Sequence, residues 1–521
     1  MGRKQSGRTP ARTGLMALAL GWILATPAYG SNLDTIGVTL LRTTTTNLDG
    51  AGIRAGQAEA GTPTWEVNPG AAGIGLPVSG FTYYATNVTA STYPNSLGVE
   101  SGHADTVGGF FYGLPGGVST NVAHVDNYEA NYFALVAVPS LTAINEVVMN
   151  QSFNFVGASP SEQQAVDTAY DNYAAQYGTL FVTGVGDGGA VNAPATCYNG
   201  IGVGAYQGAT STGPTPDNSR AKPDLTAPAD ATSYSAPQVS GATVLLLQAG
   251  LRGDGGSDVS SAADMRTLKA LLLNGAVKPS DWASPAPSPL DPRYGAGVLN
   301  VFNSYRQLTG GKHGFITSSS VPKGNPHPPT GATGNVASLS GWDFNTVSGS
   351  LLNDAVNHYY FSLTGAGPFT GTVTLVWNRQ AGQTAINELD LYLYDASTGA
   401  MLAYSSNAVD NVKHLFLPQL APGRYDVQML KKGGLTVSSS ETYALAYEFF
   451  ALPLSLSRAG GNQVVLSWPL YPAGFVLEAT SSLTPPVTWS PVNPAPVVTS
   501  NQNQVTVNAA SSGQFFRLNR P

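Results

Sequence analysis

Between residues 35 and 310 the hydrophobic pattern keeps changing period. Short apolar runs such as "YFALVAVP" (132–139), "GTLFVTGVG" (178–186) and "YNGIGVGAY" (198–206) alternate with helix-spaced stretches, "AVDTAYDNYAAQY" (165–177), "APQVSGATVLLLQAGL" (236–251) and "DMRTLKALLLNGA" (264–276). Continuous apolar strands alternating with amphipathic helices predict an α/β domain: a mostly parallel sheet with helices on both faces, its functional groups gathered at the carboxyl ends of the strands. A Gly/Pro/Ser/Thr-rich segment, "TSSSVPKGNPHPPTGATGN" (317–335), interrupts this pattern and reads as a linker, placed at 313–335. Beyond it the helical period disappears. Two-residue alternation in "LDLYLYD" (389–395) and "LAPGRYDVQML" (420–430) predicts an antiparallel β-sandwich over 336–450, and shorter strands predict a small β module over 451–521.

The amino-terminal stretch has its own pattern. Arg3, Lys4, Arg8 and Arg12 precede the short apolar run "LMALALGWILA" (15–25) and then "TPAYG", with Ala28 and Gly30 at cleavage-compatible positions. Residues 1–30 therefore read as a secretory signal, with the α/β region occupying 31–312. No later run approaches the length of a spanning helix, so no transmembrane segment is expected in the mature chain, and the product is expected outside the cytoplasm. Charged residues are only 11% of the 521, net charge is −7, and no basic block occurs, which argues against nucleic acid as a partner. The single cysteine, Cys197, has no partner for an intrachain disulfide.

Candidate chemistry starts at "ADATSYSAPQVSG" (229–241), where small hydroxyl residues and a proline precede an apolar helix. One reading makes Thr232, Ser233 or Ser235 a cap, with Pro237 in the first turn. The other makes a serine at this electropositive helix end a nucleophile, which needs a base and an acid to orient it. Of the six histidines only His103 and His124 lie within the α/β region, and His103, in the small-residue context "SGHADTVGG", has room for a helix and a substrate beside it.

These stretches together resemble the subtilases, the subtilisin-like serine peptidases. "GHADTVGG" (102–109) is similar to the family's histidine motif, "ATSYSAPQVSG" (231–241) to its serine motif and "AKPDLTAP" (221–228) to the lead-in. "VVMNQSFNF" (147–155) is similar to the cleft strand and "YGAGVLNVFNSY" (294–305) to the closing segment. The resemblance implies a subtilisin-like fold, protein or peptide substrates, His103 as base, Ser233 as nucleophile, and Ser152, Phe153 and Asn154 as the substrate-facing triplet. It also places Glu59, in "RAGQAEAG" (54–61), where the family carries aspartate, with Asp49 the weaker alternative. At the oxyanion hole the family's Gly-Asn becomes Gly186-Asp187, so a protonated Asp187, or Asn192 from a rearranged loop, is the candidate donor. Such donation by Asp187 implies activity biased to acidic pH.

No HExxH or Cys/His cluster supports a catalytic metal, and no cofactor is expected. The 336–450 block resembles bacterial pre-peptidase C-terminal domains, in which Asp390, Asp395 and Asp410 are candidate oxygens for structural calcium. Two readings of function follow: a secreted serine endopeptidase working through Glu59, His103 and Ser233, or a catalytically impaired subtilase scaffold that binds proteins or glycans outside the cell.

Overall fold

A computed structural model describes residues 29–521 apart from 87, 366, 435–436, 452, 470–473, 500–501, 510–512 and 520–521. Residues 1–28, most of the expected signal segment, lie outside it. The first domain is built on strands β1 (Arg54–Glu59), β2 (Phe81–Ala85), β3 (Val88–Ala90), β4 (His124–Glu129), β5 (Val148–Gln151), β6 (Leu180–Gly184), β7 (Ile201–Tyr206) and β8 (Leu225–Pro228). They form one eight-stranded sheet in the order β8-β7-β6-β5-β1-β4-β2-β3, parallel except for the β2–β3 edge pair.

Five helices matter for the site and its support: α1 (Gly102–Phe111), α2 (Pro160–Tyr177), α3 (Thr232–Leu251), α4 (Met265–Gly275) and α5 (Val301–Thr309). Alternation along β6 shows that they cover both faces. Phe181 turns to Tyr170 and Tyr173 of α2, with ring centroids at 4.7 and 5.7 Å, whereas a Cβ on Gly184 would meet Thr232 of α3 on the other face. The α2 boundaries follow from local chemistry. Ser159 and Glu162 form a capping box, Pro160 opens the helix, and Gly178 at φ +72° ends it. The apolar run 132–139 is not a strand: residues 133–137 are a helical turn that follows β4, because a short apolar run fits a buried helix turn as well as a strand.

The second domain is a sandwich of strands β9 (Thr317–Pro322), β10 (Ser340–Ser348), β11 (Asn353–Leu363), β12 (Phe369–Trp377), β13 (Leu389–Asp395), β14 (Met401–Ser405), β15 (Val412–Leu420), β16 (Gly423–Lys431) and β17 (Ser440–Phe450). One sheet runs β9-β11-β16-β13-β14 and the other β10-β17-β12-β15. Residues 317–322, read in the sequence as part of a linker, are strand β9, paired antiparallel with β11 from Thr317↔His358 to Pro322↔Asn353. Serine- and threonine-rich composition marks an exposed edge strand as readily as a loop. The last module folds around Leu466, Trp468, Leu477 and Val505. Trp468 is thus core, and Trp489 lies under the Arg517 guanidinium.

The two large domains share a core. Trp342, Val376, Val412, Ala444 and Ala446 of the sandwich pack into the cluster that fills the first domain. Polar groups at the seam are paired. The carboxamide oxygen of Asn274 on α4 accepts from Thr372 and Thr374 at 3.0 and 2.9 Å, and its Nδ2 donates to Gln307 on α5. Asn274→Ala would leave the buried Thr372 hydroxyl without its acceptor, while Thr374 keeps its 2.8 Å contact with His414 Nδ1. Its cost is expected at about 2 kcal/mol, measured by urea denaturation of the full chain.

The three aspartates considered for calcium have other partners. Asp390 faces Lys432 at 3.2 Å, Asp395 accepts from the N–H groups of Ser397 and Thr398, and Asp410 accepts from the Ala221 N–H and Asn407. Among the described residues no group of three or more His, Cys, Asp or Glu gathers as a metal cage, and no helix is long and apolar enough to cross a membrane.

Candidate active site

Parallel strands bring their carboxyl ends to one rim of the sheet. β1 delivers Glu59 there, fully buried as the strand's last residue. Facing it is His103, the second residue of α1, whose amino end is capped by Ser101 accepting from the Ala104 N–H. Glu59 Oε2 lies 2.9 Å from His103 Nδ1. The other carboxylate oxygen accepts from Gln57 Nε2 at 2.9 Å; Gln57 also donates to the Ala104 carbonyl at 3.0 Å and accepts from the Tyr112 hydroxyl at 2.7 Å. Gln57 and Glu59 project to the same side because a strand repeats every two residues. This buried relay fixes the longer glutamate side chain against the imidazole. Sequence reasoning missed Gln57 and Tyr112, and the legible signal was an amide two positions before the acid, flanked by Ala55, Gly56 and Ala58.

The competing candidates fall elsewhere. The register pairs Arg54 with His124 and Glu59 with Glu129, so His124 stands at the opposite, amino end of the sheet, against Thr82 at 2.8 Å. Asp49 precedes β1 and accepts from the Ala51 N–H and Asn121.

Ser233 is the second residue of α3 and half-buried. The adjacent Tyr234 ring lies 5.9 Å from the His103 imidazole, so α1 and α3 bring positions 103 and 233 to the same end of the sheet. Close helix approach depends on Gly241, where a Cβ would fall 2.5 Å from that of Val118 and 3.2 Å from the Phe111 carbonyl. Pro237 lies inside α3 rather than in its first turn. Its ring lacks the N–H that the Ser233 carbonyl would accept in a regular helix. Ser152 Oγ supplies that bond at 2.9 Å, tying the triplet after β5 to the backbone of the candidate nucleophile. Within the triplet Phe153 turns inward and is buried, and Asn154 Nδ2 donates to the Gly184 carbonyl at 2.7 Å.

The α3 cap comes from another loop. Ala231 occupies the cap position with no side-chain bond, and Asp187 Oδ1 instead accepts from the Thr232 N–H at 2.7 Å and the Thr232 hydroxyl at 2.9 Å. Gly186, at φ +103°, makes the turn that aims it, and Ser211 pins the loop by accepting from the Gly188 N–H and donating to its carbonyl. Asp187, expected as a donor, instead accepts hydrogen bonds at the α3 amino end, as a carboxylate suits such an end. Asn192 donates to the Ala190 carbonyl within its own loop.

Charge around the imidazole has a definite sense. Burial pulls the His103 pKa down, but the Glu59 carboxylate beside Nδ1 and the more distant Asp187 outweigh it and hold it above the ordinary histidine value. Asp105, two residues on, is pushed up to about 7, chiefly by burial and further by Glu100, against the Asn68 N–H that it accepts. The folded state then binds this proton more tightly than the unfolded chain, so stability is lost as pH rises from 3.8 through about 7. Asp105→Asn is expected to leave Tm unchanged near pH 4 and raise it at pH 8 in thermal scans.

Residues 117–297 match the model of the subtilase family. The match covers the strand, triplet, loop and helix that carry Ser152, Asp187 and Ser233 and supports a serine peptidase; Glu59 and His103 lie before it. No curated protein matches the chain. Among solved structures, tripeptidyl peptidase 2 is similar at 15% identity and TM-score 0.32, over 74% of this chain and 47% of that one, so the present chain spans about half its length. The adhesin domain of Epf from Streptococcus pyogenes is similar at 8% identity and TM-score 0.17, over 34% of this chain and 72% of that one.

Proposed function

We propose that this chain is a secreted serine endopeptidase acting on protein or peptide substrates through Glu59, His103 and Ser233. The observation that carries the reading is the 2.9 Å contact from Glu59 Oε2 to His103 Nδ1, on the rim where α3 presents Ser233. Glu59 holds the proton on Nδ1 and leaves Nε2 to take the hydroxyl proton of Ser233 as the serine attacks a peptide carbonyl. His103 then returns that proton to the leaving amine, and water reverses the sequence to free the acyl group. The oxyanion forms at the amino end of α3, where the Ser233 backbone N–H has no helical acceptor ahead of it. The signal-like segment at 1–30 supports export, and no cofactor enters this chemistry.

One observation favours the impaired-scaffold reading: Asp187 offers a carboxylate where the developing oxyanion needs a donor. A fluorophosphonate probe separates the two. Labelling of Ser233 between pH 4 and 9, absent in Ser233→Ala, is the expected result; no labelling of Ser233 at any pH leaves the binding scaffold.

A further inference from the structure

A serine–histidine–aspartate chain lies in the sandwich. Ser319 Oγ on β9 is 2.8 Å from His358 Nε2 on β11, and His358 Nδ1 is 2.8 Å from Asp426 Oδ2 on β16. The three strands are consecutive in the sheet, and their register puts the three side chains on one face. Ser319 pairs with Val356, two residues from His358, and His358 pairs with Gln428, two residues from Asp426. The opposite face carries Tyr359, Phe361, Val427 and Met429 into the sandwich core.

The surroundings orient the chain. Gln428 Nε2 donates to Asp426 Oδ2 at 2.8 Å, and its own Oε1 meets the His327 ring at 2.6 Å. His327 belongs to the segment that follows β9 and crosses this face, where Thr330 also bonds the Tyr360 hydroxyl. His358 and Asp426 are fully buried, and only Ser319 is half-exposed. Asp426 Oδ1 has no hydrogen-bond partner among the described residues. Asp426 Oδ2 gathers both bonds instead, from His358 Nδ1 and from Gln428 Nε2, so the accepting oxygen of the carboxylate is the one that faces the imidazole. Accepting from Nδ1, Asp426 leaves the His358 Nε2 lone pair facing the Ser319 hydroxyl.

A donor for developing charge is also within the strand. The Lys323 N–H reaches the Leu352 carbonyl directly across the β9–β11 pair, so residues 317, 319 and 321 make the ladder bonds. The N–H of Ser320, next after Ser319, then turns to the open edge, because β9 is the last strand of its sheet.

The geometry points to Ser319 as a second activated serine that accepts acyl groups from short-chain esters. The crossing segment over His358 and Asp426 restricts the class to small acyl groups. Ser319 Oγ bonds to the ester carbonyl carbon as His358 Nε2 takes the hydroxyl proton. The carbonyl–alkoxy bond then breaks, the proton passes to the departing alkoxide as the alcohol, and acyl-Ser319 remains. Water, deprotonated by the same nitrogen, releases the carboxylic acid and restores the serine. The site shares no residue with the Ser233 rim, so it stands or falls apart from the peptidase reading.

The test uses the full chain carrying Ser233→Ala, exposed to a fluorophosphonate and to p-nitrophenyl acetate, with adducts located by peptide mass spectrometry. An adduct on Ser319 is expected, absent in Ser233→Ala/Ser319→Ala and at least about tenfold slower in Ser233→Ala/His358→Gln. Because His358 is buried, a second variant keeps the question open to refutation if that one fails to fold. Ser319→Cys in the same background, at a half-exposed position, is expected to react with iodoacetamide at pH 6 about tenfold faster folded than in urea. No adduct on Ser319, an unchanged rate in folded His358→Gln, or a cysteine at 319 no faster than in urea overturns the proposal.

Discussion

Glu59→Gln is expected to lower kcat by about 10⁴ while leaving KM nearly unchanged, the scale on which a triad loses its charge partner. Glutamine keeps the length of the side chain and one oxygen, so the fold around Gln57 and Tyr112 has no reason to change. It removes the charge that steadies the imidazolium and permits the wrong tautomer at His103. The pH profile supplies an independent sign. In the native chain His103 must be neutral to act as base, and Glu59 holds its pKa above the ordinary value against the pull of burial. Activity is therefore expected to fall as pH drops through that raised value. Without the Glu59 charge burial dominates, and the acid limb of residual activity should move to lower pH. Measured kcat against pH from 4 to 9 checks both effects, and a loss under about tenfold with an unmoved limb would remove Glu59 from the mechanism.

Asp187→Asn is expected to act in the opposite direction, raising kcat by about 10²-fold. The oxygen of an asparagine can accept from the Thr232 N–H and hydroxyl as Asp187 Oδ1 does, because asparagine serves as well as aspartate at a helix amino end. Its amide nitrogen is then free to donate toward an oxyanion, and a negative charge disappears from the place where one develops. Single donors of this kind are typically worth 10²–10³ in kcat, so about 10² is the gain expected after some misalignment. Chemical denaturation should show stability within about 0.5 kcal/mol of the parent, since the cap is retained. Unchanged or lower kcat with stability intact would mean that the transition state does not use this loop. Together the two substitutions separate the orientation of the base from stabilisation of charge on the substrate.

Much of the site was legible because its chemistry is tied to local punctuation. Small residues around His103 and the hydroxyl-rich entry to α3 are short-range features, and a strand or helix end places such residues on one rim whatever surrounds them, whereas Gly186-Asp187 was singled out only through the resemblance to the subtilases. The α/β alternation and the later two-residue period likewise report local geometry. Beyond the run 132–139 and the Gln57–Tyr112 support, three further features were not legible. Whether Asp187 donates or accepts depended on Thr232, 45 residues away. Pro237 read as a first-turn proline because the helix start was placed later than Thr232, and the carbonyl it frees is satisfied by Ser152, 81 residues away. Residues 317–322 read as linker because an edge strand carrying three consecutive serines, 318–320, has the composition of a loop.

By itself the sequence determined the α/β alternation, the later two-residue period and the residue types able to act as base and nucleophile, since these follow from neighbours along the chain, whereas the runs at 132–139 and 317–322 took other forms. Only the tertiary structure decided which carboxylate meets which imidazole. It set the Gln57–Tyr112 support behind Glu59, turned the Asp187 oxygen toward the α3 amino end, and joined Ser319, His358 and Asp426 across three strands. Hydrogen bonds are made at distances near 3 Å between atoms that the chain separates by tens of residues, and it is the register of strands and the closeness of helices that selects the partners.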